Sequence, residues 1–505
     1  MSGPSGRRSG HMLLSLLRRG LPCVAALEFA RHASAEEAPF RPHGKSVVDL
    51  QSAMTDGSAT SRSLCEYCIL RIHSIDSAGP RVRSVLEINP DALATADKLD
   101  AERAAGATRG KLHGVPVLLK DNIDAGDLMR STAGSLALME SRACGDAHVV
   151  ALLRAQGAII LGKCNLSEWA NFRGQGSHSG WSGVGHQTRN PHVLDRSPIG
   201  SSSGSAAAVA AGLCPVAIGT ETDGSIVAPA TANGVVGIKP SVGLTSRTGV
   251  CPISGTQDSI GTFGRTVADA AALLEAIVGP DERDAATLEW PASGMCVSYT
   301  EHLKGAAGLR GKRIGVIREY HALDQRVADV CDAAVHTLEK AGATVVDVQL
   351  GPAVESRKPK DKAQDDEGKD KAHDDEDKPD NTDRAVEAKA WFADMDDELF
   401  ILTYEFRRDL NAYLSTRIPF VDDSVEVDEG GLMGTAHAEK RVVRTIDDVI
   451  QFNKDHAHEE MVRRAGSNMS LSVCIAHTHT HTHTHTHQYT SVYMLASGAL
   501  WSGAS

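Results

Sequence analysis

Residues 197–226 read SPIGSSSGSAAAVAAGLCPVAIGTETDGSI, a pattern that predicts a loop, a helix, a strand and a second loop in succession. The helix falls on the small residues 206–211 and the strand on the apolar residues 215–218. Ser225 lies in the second loop, among small and turn-prone residues. Backbone N–H groups beside such a serine can hold the oxyanion that develops during acyl transfer, so this loop is a candidate catalytic site.

Strands and helices alternate on both sides of this unit. The predicted strands are 115–119, 158–161, 314–317 and 344–350, and the predicted helices are 146–156 and 324–341. Apolar strands that alternate with helices are typical of an α/β protein in which helices cover both faces of a sheet. The fold class predicted from the sequence is therefore α/β.

Composition and charge exclude several classes of protein. Apolar residues make up 41% of the 505 residues, the share of a globular chain with enough material for a core. The 52 basic and 65 acidic residues give a net charge of −13, so no overall positive field attracts nucleic acid or an anionic membrane. No apolar run approaches the roughly 18 to 20 residues that a spanning helix needs. We therefore expect neither a nucleic-acid partner nor a membrane span.

A nucleophilic serine needs a base that removes its proton. A lysine can serve if burial keeps its amine neutral, well below the ordinary pKa of about 10.4. Lys120 follows the apolar strand 115–119 and suits that role. The same position also suits an ordinary lysine at a strand end, whose amine reaches water.

A different serine chemistry matches part of the same loop. Residues 200–204 satisfy G-x-S-x-G, the nucleophile elbow of α/β-hydrolases. An elbow must follow a strand, and Pro198 fits a central strand poorly. The elbow is therefore the weaker hypothesis for this serine loop.

Four segments together resemble the amidase signature family. They are KLHGVPVLLKDNID at 111–124, SPIGSSSGSAAAVAAG at 197–212, GTETDGSIVAPA at 219–230 and GVVGIKPSVGLTSR at 234–247. The spacing also matches the family pattern, with 24 residues between Ser201 and Ser225 and 81 between Lys120 and Ser201. The resemblance implies a serine hydrolase in which Ser225 forms the acyl-enzyme, Ser201 is the bridging serine and Lys120 is the base.

The resemblance implies further roles around this Ser-Ser-Lys triad. The backbone N–H groups of Thr222, Asp223 and Gly224 would form the oxyanion hole, and Ser202 would support the bridging serine. No cofactor and no metal are implied, because serine, lysine and backbone N–H groups suffice for the chemistry. The expected reaction converts a linear amide to a carboxylate and ammonia.

Within the family, the sequence is most similar to the bacterial peptide amidases, which remove the C-terminal amide of peptides. This similarity rests on NLSEWANFR at 165–173, GWSG at 180–183, TRNPHVLDRSP at 188–198 and GTETDGSI at 219–226. Most other members have Gly where this chain has Asp223 and Arg where it has Val227. These two residues argue against the A subunit of a tRNA-dependent glutamine amidotransferase, which stays an alternative.

The resemblance implies one large mixed β-sheet covered by helices, formed by an amidase signature domain at 45–462. Within it, 355–384 has 12 acidic and 8 basic residues and predicts a charged, disordered insertion. Family members continue where this chain enters its His-Thr tail at 463–505, so we expect the C-terminal part of the fold to be missing or replaced. A truncated, inactive family member is the third hypothesis.

The two ends of the chain differ from the domain between them. Residues 1–44 are predicted to form an N-terminal extension, which is rich in arginine and has a single acidic residue before residue 35. This composition is typical of an organelle transit peptide, mitochondrial for example, and a disordered extension is the alternative. Without such a peptide, a cytoplasmic location is expected. In the tail, residues 477–487 alternate His with Thr. Such a tract can bind divalent metals, but a nucleotide repeat translated as protein is the simpler explanation.

Overall fold

The computed structural model of the chain describes residues 40–174, 177–289, 298–318, 325–348, 397–419 and 442–456. All elements below belong to the unit that begins at Pro42. Most of the predicted extension at 1–44, the predicted insertion at 355–384 and the predicted tail at 463–505 lie outside the described residues.

The described residues form strands, α-helices and short single-turn helices. The strands are β1 (Val85–Ile88), β2 (Pro116–Lys120), β3 (Ser141–Arg142), β4 (Ile159–Cys164), β5 (Trp181–Ser182), β6 (His186–Gln187), β7 (Val216–Glu221), β8 (Val236–Ile238), β9 (Ser259–Gly264), β10 (Arg313–Val316), β11 (Thr344–Asp347) and β12 (Ile418–Pro419). The α-helices are α1 (Val47–Asp56), α2 (Ser61–Arg71), α3 (Ala92–Ala104), α4 (His148–Ala155), α5 (Ser203–Ala210), α6 (Val227–Ala232), α7 (Val267–Glu275), α8 (Gln325–Lys340), α9 (Asp397–Ser415) and α10 (Ile446–Asp455).

The core of the fold is a six-stranded mixed sheet with the order β1-β4-β2-β7-β9-β8. The central strands β4, β2 and β7 are parallel, whereas β1, β9 and β8 each run antiparallel to a neighbour. Because the carboxyl ends of parallel strands meet at one edge, the ends of β2 and β7 bring Lys120 and Glu221 to the same side of the sheet. This confirms the predicted α/β class with one large mixed sheet.

Helix α5 packs tightly against the sheet region because its residues are small. A Cβ atom added at Gly204 would lie 2.3 Å from the carbonyl oxygen of Ser84 and 2.4 Å from that of Asn165. Ala206 and Ala208 of the helix are buried in the same apolar cluster as Leu118 of β2 and Phe263 of β9. The close approach places the start of α5, and the serine loop before it, against the carboxyl ends of the central strands.

A second apolar cluster lies outside the six-stranded sheet. Helices α9 and α10 contribute seven of its fifteen buried residues, among them Phe406, Leu410 and Ile446. They pack on Trp169, in a short helical turn after β4, and on Ile253, in the loop before β9. The described segment 397–419 therefore lies on the side of the domain that carries the serine loops.

Some local predictions were wrong in detail. Helix α4 begins at His148, not at residue 146, because Asp146 accepts hydrogen bonds from Gly126 N (2.7 Å) and Arg154 Nε (2.9 Å) and does not cap the helix. The predicted strands 314–317 and 344–350 form as β10 and β11, which pair in parallel with each other in a separate two-stranded sheet and do not join the six-stranded sheet. Among the described residues, no helix combines the length and apolar character needed to cross a membrane.

Candidate active site

Lys120 is the last residue of β2, and its side chain is fully buried. Its Nζ lies within hydrogen-bond distance of three oxygens, 2.7 Å from Ser201 Oγ, 2.8 Å from Thr220 Oγ1 and 3.2 Å from the Thr220 carbonyl oxygen. Lys120 and Thr220 come from the adjacent parallel strands β2 and β7. The sheet itself therefore holds the amine against the serine loop.

Burial changes the acid–base behaviour of this lysine. Removal from water disfavours the charged amine and lowers the pKa of Lys120 from 10.5 to about 7, although the carboxylates of Asp258 and Glu221 act in the opposite direction. A large share of the amine is then neutral near pH 7. Lys120 is not the solvated strand-end lysine that the sequence also allowed.

The three contacts of the amine suit its neutral form. A neutral amine offers two N–H donors and one lone pair. The Thr220 carbonyl oxygen can only accept, whereas the hydroxyls of Ser201 and Thr220 can each donate or accept. If Ser201 donates its proton to the lone pair, the two N–H groups can donate to Thr220 Oγ1 and to the Thr220 carbonyl, and Lys120 is then placed to take the Ser201 proton.

The serine loop that carries Ser201 is tied to β7 and to the segment that follows β4. The peptide bond between Gly200 and Ser201 is cis, and the Ser201 carbonyl accepts from Ser167 N at 3.0 Å. Ser202 Oγ donates to the Thr220 carbonyl at 3.0 Å. Ser201 and Ser202 are both fully buried.

Ser225 lies beside this pair and is slightly more accessible, with 7% of its surface exposed. Its carbonyl oxygen accepts from Ser202 N at 3.1 Å, which joins the two serine loops. In the described part of the chain, the Ser225 hydroxyl makes no hydrogen bond, to Ser201 or to any other group. The structure thus brings Lys120 and Ser201 into direct contact and holds Ser225 next to them through Ser202.

The loop between β7 and Ser225 carries backbone N–H groups. Glu221 accepts the two amides that follow Ser225, from Ile226 N at 2.6 Å and Val227 N at 2.9 Å. By contrast, the amides of Thr222 and Gly224 donate no hydrogen bond to other described residues. Gly224 has φ +73°, a conformation that glycine adopts without strain. The free amides flank the exposed Asp223 at the predicted oxyanion position.

Several contacts of the site were missed by the sequence analysis. Thr222 Oγ1 donates to Asp258 Oδ1, and burial raises the pKa of the Asp258 carboxyl. Asn122 Nδ2 donates to Thr220 Oγ1 at 3.1 Å, beside the lysine contact. Thr220 and Asn122 were within reach of sequence reasoning, because each lies in a quoted segment next to a predicted catalytic residue. Asp258 lies 33 residues beyond Ser225, and no local pattern marks it.

A small cavity adjoins this group. Asn122, Thr220, Thr222 and Asp258 line it together with apolar residues from the loop after Arg247. Among the described residues, His, Cys, Asp and Glu side chains nowhere gather in threes as a metal site. The nucleophile elbow is not formed, since no strand lies between Gln187 and the loop at 200–204.

Together, a buried lysine and two serine loops lie at the carboxyl edge of a mixed sheet. The amidase family model matches residues 66–386, and the chain belongs to this family. It is an amidase, a hydrolase that acts on carbon–nitrogen bonds.

Individual relatives support this assignment. A protein of Arabidopsis thaliana described as a probable amidase is 39% identical over 431 residues, which are 84% of this chain and 71% of the relative. The crystal structure of a peptide amidase from Stenotrophomonas maltophilia is 42% identical, with a TM-score of 0.65; the match covers 85% of this chain and 77% of that one. An amidase family protein from Bacillus anthracis matches with 31% identity and a TM-score of 0.66, over 90% and 77% of the two chains.

Other relatives match over a shorter span. A relative from Schizosaccharomyces pombe is 43% identical over 307 residues, 59% of this chain, and the chain spans about half of its length (51%). The A subunit of glutamyl-tRNA(Gln) amidotransferase from Microcystis aeruginosa is 40% identical over 306 residues, 60% of each chain. The similarity to the amidotransferase subunit therefore covers less of the chain than that to the peptide amidase.

Proposed function

We propose that this protein is a serine amidase that hydrolyses linear amides, with C-terminal peptide amides favoured, to a carboxylate and ammonia. The observation that carries the proposal is the 2.7 Å contact between Ser201 Oγ and the fully buried amine of Lys120. Burial holds the pKa of this amine at about 7, so it can act as a base near neutral pH. The family relationship fits this chemistry.

In the proposed acylation, neutral Lys120 takes the proton of Ser201, and Ser201 takes the proton of Ser225. Ser225 Oγ then bonds to the amide carbon, and the carbonyl electron pair moves to oxygen. The amides of Thr222 and Gly224, with that of Asp223 between them, would stabilise this oxyanion. Protonated Lys120 returns its proton through Ser201 to the leaving nitrogen, the C–N bond breaks, and ammonia departs.

Deacylation repeats the relay with water in place of the amide nitrogen. Water gives a proton through Ser201 to Lys120 and bonds to the acyl carbon of the ester on Ser225. Collapse of the second tetrahedral intermediate breaks the bond to Ser225 Oγ, which regains a proton from the relay. The carboxylic acid product loses its proton to water and leaves as the carboxylate, and neutral Lys120 is restored.

The substrate class is inferred from similarity. The Stenotrophomonas relative is named a peptide amidase, and its similarity extends over 85% of this chain. A free peptide amide also needs only a small leaving group, ammonia, which suits the small cavity beside Asn122 and Thr222. An amidotransferase subunit would instead take ammonia from glutamine and need partner chains.

The experiment is ammonia release from dipeptide amides, with glutamine as a second substrate, by the 505-residue chain. In parallel, intact mass is recorded after treatment with a serine-reactive fluorophosphonate. We expect ammonia from the peptide amides and one adduct per chain, both lost in Ser225→Ala. Ser202→Ala, which keeps the three triad residues, serves as a comparison and should still form the adduct.

Other outcomes would overturn the proposal. Ammonia release that survives Ser225→Ala would exclude this serine as the nucleophile. Ammonia from glutamine alone, together with co-purification of two further chains, would favour the amidotransferase subunit. A soluble chain that forms no adduct would favour the inactive family member.

A further inference from the structure

Helix α9 carries two series of residues with a spacing of four. The first series is apolar and buried: Leu402, Phe406, Leu410 and Leu414. Residues four apart share one face of a helix, so this series forms a continuous ridge. It packs in the cluster that contains Cys251 and Ile253, in the loop before β9. The apolar ridge therefore docks α9 beside the catalytic edge of the sheet.

The second series is polar: Glu405, Asp409, Tyr413 and Arg417, the last lying two residues beyond the end of the helix. Glu405, Tyr413 and Arg417 are buried, which is costly for polar groups unless they are partnered. All four contact loops of the catalytic edge. We call this series the polar ridge.

At one end, the polar ridge holds the loop that follows Lys120. Asp124 Oδ1 accepts from Tyr413 Oη at 2.8 Å and from Arg417 Nη1 at 2.9 Å. Arg417 Nη2 also donates to the carbonyl of Ser131 at 2.8 Å. Asp124 lies four residues after Lys120, and the turn between them is closed by Ile123 N donating to the Lys120 carbonyl at 3.0 Å. Movement of Asp124 would therefore reach the backbone of the lysine.

At the other end, the polar ridge holds the loop 253–258. Glu405 Oε2 accepts from Ser254 Oγ, from Thr256 Oγ1 at 2.9 Å and from Thr256 N at 3.2 Å. Asp409 Oδ2 accepts from Gly255 N at 3.0 Å. A carboxylate with three donors fixes the loop more firmly than one hydrogen bond would.

The loop 253–258 in turn holds the oxyanion loop. Asp258 Oδ2 accepts from Ile253 N at 2.8 Å and from Ser254 N at 3.0 Å, so its carboxylate is fixed by its own loop. The other oxygen, Oδ1, accepts from Thr222 Oγ1. A contact chain thus leads from Glu405 through Ser254 and Asp258 to Thr222, whose amide lies at the predicted oxyanion position.

We propose that α9 is a positioning element of the active site: its polar ridge fixes the loop of Lys120 through Asp124 and the oxyanion loop through the segment 253–258. The proposal rests on the function proposed above. It adds positioning residues that lie beyond residue 386, where the match to the family model ends. None of the four ridge residues touches the reacting atoms; each acts through another residue.

The test compares two tyrosines of the same helix. Tyr413→Phe removes only the hydroxyl that donates to Asp124, whereas Tyr404→Phe removes a hydroxyl from a side chain that is 65% exposed. Dipeptide-amide kinetics are measured per fluorophosphonate-reactive site, well below the melting temperature of each variant. We expect kcat of Tyr413→Phe to fall on the order of tenfold, because misplacement by about 1 Å can cost about a hundredfold. KM should stay within about twofold, and Tyr404→Phe should equal the wild type.

Glu405→Gln tests the other end of the polar ridge. The neutral amide oxygen is a weaker acceptor than the carboxylate for the three donors that reach Glu405 Oε2, so loop 253–258 should loosen and kcat should again fall with little change in KM. The proposal would be overturned if Tyr413→Phe and Glu405→Gln both kept the wild-type kcat per reactive site, even with lower melting temperatures. Helix α9 would then have only a structural role. A wild-type chain that neither releases ammonia nor reacts at Ser225 would overturn the proposed function itself, and these two failures are distinguishable.

Discussion

Replacing Lys120 by methionine should stabilise the protein below about pH 7 and abolish its activity. Methionine has a similar length, needs no hydration and suits a fully buried site. The wild-type lysine has a pKa of about 7 in the fold against 10.5 in its ordinary state, because burial disfavours the charged amine. At about 1.36 kcal/mol per pH unit, this difference destabilises the folded state by about 5 kcal/mol at low pH.

The cost that the buried lysine imposes on the free energy of unfolding depends on pH, and this dependence identifies Lys120 as its source. Below pH 7 the lysine is protonated in both the folded and the unfolded chain, so the whole cost is present. Between about pH 7 and 10.5 only the unfolded chain keeps the proton, and the cost falls by about 1.36 kcal/mol per pH unit. The wild type should therefore gain about 2 kcal/mol relative to Lys120→Met between pH 7 and 9. Lost contacts to Ser201 and Thr220 cost the variant a few kcal/mol at every pH and leave this gradient unchanged.

Urea unfolding of both proteins at intervals from pH 6 to 9.5 measures the gradient. Ser225→Ala serves as the matched control, because it should be inactive yet keep Lys120 and the pH dependence of the wild type. A stability difference between wild type and Lys120→Met that stays constant from pH 7 to 9 would refute the lowered pKa. It would also remove the physical basis for a neutral lysine base, whatever the activity of the variant.

Two further predictions concern residues around the lysine. In the wild type, kcat/KM should fall on the acid side of about pH 7, where Lys120 becomes protonated. Asp258→Asn should shift this fall to lower pH, because the carboxylate of Asp258 raises the pKa of Lys120. An unchanged pH profile would contradict this. Gly204→Ala should lower the melting temperature strongly and abolish fluorophosphonate labelling, because the new Cβ would lie 2.4 Å from the Asn165 carbonyl oxygen. Gly57→Ala is the control: no atom lies within 4 Å of its new Cβ, so the variant should retain labelling despite the left-handed backbone at this position.

Much of the sheet and of the candidate site could be predicted because their signals are local. The apolar run before Lys120 predicted a buried strand, and β2 is buried along its whole length. Small residues after Ser201 predicted the helix that packs closely against the strands, and α5 forms there. Family spacing then paired Lys120 with Ser201, and the structure brings their side chains within 2.7 Å.

The supporting contacts could not be predicted, because their partners are distant in sequence and ordinary in composition. Asp258 lies in a loop whose sequence resembles many polar turns, and its role depends on Thr222, 36 residues away. Arg417 reaches Asp124 across 293 residues and lies beyond the charged insertion. Neither a periodicity nor a motif marks such pairs, since only the folded chain brings a buried charge to its partner.

The chemistry of Lys120 and the packing of α9 depend on each other. A lysine is neutral near pH 7 only where protein replaces the water around its amine, and that replacement costs the fold about 5 kcal/mol. Cys251 is among the buried residues near the amine, and the apolar ridge of α9 packs in the same cluster as Cys251. The segment beyond residue 386 therefore helps to keep the site dry as well as positioned. An amidase that uses a buried lysine as its base needs such a cover, because a hydrated amine would hold its proton and leave Ser201 without a base.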